Sequence, residues 1–269
     1  MNLLRNALIG ISMIYLIVVA AMFLMQRTLQ YFPSNKGLTP LVLGLSGVSA
    51  HTIGTPDGES IVVWYSAPPQ NRPTILYFHG NAGEIGDRDE RLKFYQANGY
   101  GACFVSYRGF GGSTGAPTEA GIMTDAESAY SWLLDQGVSA KTIALVGESL
   151  GTGVAVQIAA RHDIGAIALE APYTTTADIA APIYWWLPVR LLMRDQFRSV
   201  DYVTGLNAPL LMTHGDADQV IPVDLGKRLF AAVAGPKELN IVPGGDHNSI
   251  HEKTTWAREV EFFNRVIRP

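Results

Sequence analysis

Seven short apolar runs recur along this chain with helix-like stretches between them, and that alternation limits its fold more than any other feature. The runs are residues 61–65, 74–78, 101–107, 142–146, 166–170, 209–213 and 238–242. Most are continuously apolar, as in T-I-L-Y-F and T-I-A-L-V, where a one-sided sheet would alternate apolar with polar. Continuous runs of this length suit parallel strands covered on both faces. Helical patterns at 89–97, 119–136, 150–161, 225–233 and 254–266 fill the gaps. The expected architecture is an α/β fold with a mostly parallel central sheet, right-handed crossovers and helices on both faces. A length of 269 residues, 48% of them hydrophobic, supplies the core such a sheet needs.

The N-terminus departs from this rhythm. No charged residue occurs from Ala7 to Met25. As a helix rising about 1.5 Å per residue the run is about 28 Å long, close to the thickness of a bilayer's hydrocarbon layer. Val19 and Ala21 would fit the −3 and −1 positions of a signal-peptidase site. The apolar run continues past them through Met22, Phe23, Leu24 and Met25, longer than a signal's apolar segment normally is. Residues 1–27 therefore read as an uncleaved single-pass anchor and residues 28–269 as the folded domain. Arg5 and the terminal amine on one side nearly balance Arg27 and Lys36 on the other. The charge count thus carries little weight, and it sets the domain on the extracytoplasmic side.

Net charge is −4 and no cluster of Lys or Arg occurs, which excludes nucleic acid as a partner. The one cysteine, Cys103, lies inside an apolar run and reads as a buried strand thiol. Between the strands ending at Glu170 and starting at Pro209 lies an insert containing A-P-I-Y-W-W-L-P-V-R-L-L-M-R, helical in period. An excursion after the C-terminal end of a strand in an open α/β sheet covers the ligand crevice. Residues 173–206 are accordingly expected to form a small helical cap, with Tyr184, Trp185 and Trp186 as candidates for lining an acyl pocket. Packing of these aromatics on the body is the alternative.

G-E-S-L-G at 147–151 sits between a strand pattern and a helix pattern. That is the setting of a nucleophile elbow, where the flanking glycines remove side chains from a crowded turn. A serine hydroxyl is a poor nucleophile unless a base, a group that orients the base and oxyanion donors surround it. Asp216 and Asp218 follow one later strand and His247 follows the last, in the order Ser, Asp, His that such sites use. The turn F-H-G-N-A-G after the strand at 74–78 can offer the backbone N–H of Asn81 beside that of Leu150 as oxyanion donors. His79, at the strand end, reads as a brace for that turn. H-N-S-I-H has a metal-like histidine spacing but lacks the glutamate of H-E-x-x-H, so no metal is expected. R-G-F-G-G-S-T-G at 108–115 matches neither a dinucleotide nor a P-loop pattern and reads as a loop at the crevice rim.

Taken in order, H-G-N-A-G, Y-R-G-F-G-G-S-T-G, G-E-S-L-G, H-G-D-A-D-Q-V-I-P and G-G-D-H-N resemble the Bem46-type α/β-hydrolases from about residue 28 to the C-terminus. The resemblance implies an α/β-hydrolase fold with a Ser–Asp–His triad of Ser149, Asp218 and His247. It selects Asp218 over Asp216, although V-I-P here has one residue more between Val and Pro than the family's motif. Membrane-attached serine hydrolases acting on acyl esters or thioesters of lipid-like molecules belong to that family. The expected activity is therefore acyl-ester hydrolysis without cofactor or metal, on a small-molecule or lipid-like acyl substrate. A serine peptidase of the same fold and a non-catalytic membrane-tethered binding protein are the rivals. Sequence leaves the oligomeric state open.

Overall fold

The computed structural model describes residues 1–69 and 72–267. In chain order the elements are helix α1 (Asn2–Gln30) and strands β1 (Phe32–Pro33), β2 (Ser49–Gly54), β3 (Ser60–Ser66), β4 (Thr74–Phe78) and β5 (Ala82–Gly83). Next come α2 (Asp89–Ala97), β6 (Gly101–Ser106), α3 (Glu119–Asp135), β7 (Ile143–Glu148), α4 (Leu150–Ala159) and β8 (Ala166–Glu170). After them follow α5 (Thr176–Ile183), α6 (Val189–Leu192), β9 (Leu210–Gly215), α7 (Val223–Ala232), β10 (Lys237–Val242) and α8 (Lys253–Val266).

Eight strands form one sheet in the order β10-β9-β8-β7-β4-β6-β3-β2. β3 runs antiparallel to both of its neighbours, β2 and β6; β10, β9, β8, β7, β4 and β6 are mutually parallel. Alternate residues of each central strand feed two separate cores. Leu76 and Phe78 of β4 and Leu145 of β7 join α3 and α4 on one face. Ile75 and Tyr77 of β4 and Val146 of β7 join α2 and α8 on the other. That double duty is why the strands are continuously apolar. Cys103 is fully buried in β6, and burial pushes its thiol far up, so it stays protonated.

Two features differ from the sequence reading. Strand β2, S-A-H-T-I-G, pairs antiparallel with β3 at the sheet edge and buries only Ile53, so it has no apolar run to reveal it. The stretch of helical period within the insert is broken into two short helices, α5 and α6. Pro182 lies inside α5, which ends one residue later, and α6 begins only after Pro188. A proline removes a helical N–H and crowds the preceding turn, and it disfavours the helical region for the residue before it.

Candidate active site

The turn from β7 to α4 is sharp. Ser149 adopts φ 51° and ψ −115°, a conformation costing a non-glycine residue on the order of 1–3 kcal/mol. Its N–H donates to the Glu170 carbonyl at 2.9 Å. Its own carbonyl accepts from the Thr152 N–H at 3.0 Å and from Thr152 Oγ1 at 2.7 Å. The glycines allow α4 to double back over the strands. A Cβ on Gly151 would lie 2.1 Å from the Phe78 carbonyl oxygen, and one on Gly147 would lie 2.6 Å from that of Gly151.

The C-terminal edge of the sheet brings two distant side chains to this serine. His247, beyond β10, places Nε2 3.1 Å from Ser149 Oγ, and its Nδ1–H donates to Asp218 Oδ2 at 2.8 Å. Asp218 Oδ1 accepts from the N–H groups of Val220 and Ile221, both at 2.8 Å. The V-I-P segment therefore presents two consecutive amides to the carboxylate, and its extra residue leaves the side chain in contact with His247. Burial opposes the charge on Asp218, but hydrogen bonds from His214, His247 and the Ile221 N–H hold the carboxyl well below its ordinary range. An ionised Asp218 only accepts, so His247 carries its proton on Nδ1 and turns the Nε2 lone pair toward the serine hydroxyl. Asp216 points elsewhere, accepting from the Gly244 N–H at 2.6 Å.

The N–H of Leu150 opens α4, where no intrahelical acceptor exists. Asn81 lines the same cavity as Ser149 and Leu150. Its carbonyl accepts from the Phe32 N–H at 2.8 Å and its side-chain amide donates to the Gln30 carbonyl at 2.7 Å. Both fastenings tie the turn after β4 to the end of α1. His79 is fully buried against Tyr107 and Phe110, and its Nδ1 meets the Gly80 carbonyl at 2.6 Å. Burial and the nearby Arg88 push its pKa down to about 3, so it remains neutral. His247 and His251 do not converge: their rings stand perpendicular, 5.6 Å apart, and His251 donates from Nδ1 to Glu170.

Beneath the elbow lies a buried polar cluster that sequence reasoning missed. Glu148, read only as the variable residue of G-E-S-L-G, meets Arg88 at 2.6 Å and accepts from the Tyr77 hydroxyl. Arg91 bonds both oxygens of Glu170, reaches Glu259 of α8 at 3.1 Å and packs over the Tyr77 ring. Burial works against charge throughout the cluster. Arg88 and His251 bring Glu148 well below its usual range, and Arg91 and His251 bring Glu170 to about 2. Glu259 has too little compensation, and burial together with the charge on Glu170 raises it. The signal available in the sequence was placement: Glu148 and Glu170 each end an otherwise apolar strand.

A cavity of about 290 Å³ opens above Ser149. Leu150, Tyr173, Ile179 and Tyr184 form part of its wall, and Met22 and Phe23 of α1 form another part. The expectation that Trp185 and Trp186 line this space is corrected: they lie outside it and are 81% and 39% exposed. Tyr184 leaves the helical conformation at the end of α5, and the Leu187 N–H closes a turn on its carbonyl. That turn carries the two indoles around to the outer side.

A mostly parallel sheet whose strand-to-helix elbow bears a serine, with a histidine and an acid at the same strand edge, is the architecture of the α/β hydrolases. Residues 73–202 match the family model described as alpha/beta hydrolase fold. An uncharacterized Mycobacterium tuberculosis protein is 36% identical over 234 residues, covering 86% of this chain and 83% of that one. Protein bem46 of Schizosaccharomyces pombe is 31% identical over 198 residues, covering 71% and 66%. The lysophosphatidylserine lipase ABHD12 of Danio rerio is 36% identical over 199 residues, covering 66% and 52%. The Pyrococcus furiosus esterase Pf2001 superposes with a TM-score of 0.74 at 18% identity, covering 89% of this chain and 98% of that one. The chain belongs to the Bem46-type α/β-hydrolase family.

Proposed function

We propose that this protein is a membrane-anchored serine hydrolase that cleaves acyl ester or thioester bonds through an acyl-enzyme. The observation that carries the reading is the hydrogen-bonded series Ser149–His247–Asp218, at 3.1 and 2.8 Å, on a strained elbow. His247 Nε2 takes the hydroxyl proton as Ser149 Oγ attacks the carbonyl carbon. Asp218 stabilises the imidazolium and keeps its proton on Nδ1. The N–H groups of Leu150 and Asn81 receive the oxyanion; losing one such donor costs about 3–4 kcal/mol of barrier. The proton then passes from Nε2 to the leaving alkoxide or thiolate. Water, deprotonated by His247, releases the acid in a second turn of the same cycle. No metal or cofactor enters these steps. The lipase and esterase named among its relatives and neighbours support an acyl substrate, and the apolar cavity wall agrees with them.

The run from Ala7 to Met25 is the anchor in this reading, with the domain on the extracytoplasmic side. Protease added to intact cells should then digest the domain, and protection until lysis would reverse the sidedness. A fluorophosphonate probe should label the wild type and fail to label Ser149→Ala. Equal labelling of the two, or none of the wild type, would refute the serine-hydrolase reading in favour of a binding protein. Turnover of p-nitroanilides above that of matching p-nitrophenyl esters would make it a peptidase.

A further inference from the structure

Helix α1 does more than tether. Val19, Met22, Gln26 and Gln30, spaced along one helical face, are half-buried against the cap, while Ile17 and Leu24 on the opposite face are open. The contact is fixed at several points. Arg27 holds Asp195 through two bonds at 2.8 and 3.1 Å, and the Gln30 amide donates to the Asp195 carbonyl at 3.0 Å. The Arg194 N–H donates to Gln26 Oε1 at 2.7 Å. Further along α1, the Tyr15 hydroxyl donates to the Trp186 carbonyl at 3.0 Å.

That last bond fixes a depth. Tyr15 lies roughly 12–15 Å from each end of the uncharged run at about 1.5 Å per residue. If α1 crosses a bilayer, the tip of the cap therefore enters the leaflet beside the domain. Its composition suits that position. No charged residue occurs between Asp178 and Arg190, and Ile183, Trp185 and Leu191 expose 63%, 81% and 82% of their surface. Exposed apolar groups of this size, contiguous with a membrane helix, mark a lipid-contacting surface. The cavity over Ser149 lies between this tip and α1, walled by Met22 and Phe23 on one side and Ile179 and Ile183 on the other.

We propose that the cap tip is immersed in the leaflet and that a lipid's acyl chain passes between α1 and the cap to reach Ser149 without crossing water. The substrate class is an amphiphile resident in the bilayer, its ester bond at the boundary between headgroup and chain. The route to Ser149 rests on the hydrolase reading above; the immersion does not.

The test uses the full-length protein in phosphatidylcholine vesicles with bromine on the acyl chains, which quenches indole fluorescence on contact. Trp64 and Trp256 are buried in the body and Trp132 is half-buried, so they serve as internal controls. Quenching should be at least two-fold greater in the wild type than in the Trp185→Phe/Trp186→Phe variant. Equal quenching overturns the immersion. For the route, Met22→Trp fills the cavity from the α1 side. The ratio of palmitoyl-ester to acetyl-ester turnover should fall at least ten-fold, and an unchanged ratio overturns the lateral path. Fluorophosphonate labelling of the same samples reports Ser149 separately. A wild type that takes no label sinks the hydrolase reading and the route with it, while the quenching still decides the immersion.

Discussion

Replacing Asp218 with asparagine isolates what the acid contributes. The asparagine Oδ1 can keep the two amide bonds from Val220 and Ile221, so the loop should hold its path, while loss of the carboxylate charge should cost about 1–3 kcal/mol of stability. The other side-chain atom becomes an N–H₂ facing His247 Nδ1, where a carboxylate oxygen stood at 2.8 Å. Two donors cannot share that contact, so the imidazole proton moves to Nε2 and the lone pair needed by Ser149 turns away. The charge on the imidazolium also loses its partner. At a charge separation of about 3–4 Å and an effective dielectric near 20, that attraction is about 4–6 kcal/mol. At about 1.4 kcal/mol per factor of ten, kcat/KM should fall by roughly 10³–10⁴. The assay is steady-state hydrolysis of p-nitrophenyl acetate, with thermal melting alongside to establish that the variant is folded. Asp216→Asn is the control, since among the described residues that side chain bonds only the Gly244 N–H, and it should cost less than about ten-fold. A folded Asp218→Asn variant within ten-fold of wild type, or a larger loss at Asp216, would refute the assignment of the acid.

Other expectations concern the scaffold. Gly151→Ala places a methyl 2.1 Å from the Phe78 carbonyl, so it should destabilise by about 1–3 kcal/mol or more in urea titration. Wild-type stability there would mean that the helix does not press on the strand as described. Glu148 and Glu170 have folded pKa values below their unfolded ones, so the unfolded chain binds more protons as pH falls. Their stabilisation is complete above the unfolded carboxylate range near pH 5 and is lost toward about 2, the value for Glu170. The melting temperature should drop steadily across that window, and a flat profile would show that the cluster does not hold these charges.

Most of the sheet was legible because both faces are covered: β4 and β8 need apolar residues at nearly every position, and such runs stand out. The elbow was legible for the opposite reason, since Gly147 and Gly151 sit where side chains cannot. Strand succession placed Ser149, then Asp216 or Asp218, then His247, and the family resemblance chose between the two acids. What stayed hidden depended on pairing across space. Edge strand β2 is held by β3 and has no pattern of its own. The indoles of Trp185 and Trp186 read as pocket residues because an apolar side chain does not declare which medium it faces. Nothing in the pattern of α2 marks Arg91, and only the fold shows three carboxylates around it. Met22 belonged to an anchor by composition and to a cavity wall by geometry.

The cluster beneath the elbow draws its members from β4, the turn before α2, α2, β7, β8 and α8 and from His251 just before α8. During synthesis the strand bearing Ser149 leaves the ribosome well ahead of Glu259. Until α8 docks, Arg91 lacks one of its carboxylates and the apolar face of the sheet around Tyr77 and Val146 lacks its cover. The Glu170 carbonyl that fixes the Ser149 N–H stands on the strand whose side chain Arg91 and His251 hold. The nascent chain thus has Ser149 in sequence well before all the contacts around it exist in space. The setting of Ser149 is therefore linked, through Glu170 and Arg91, to Glu259 of α8.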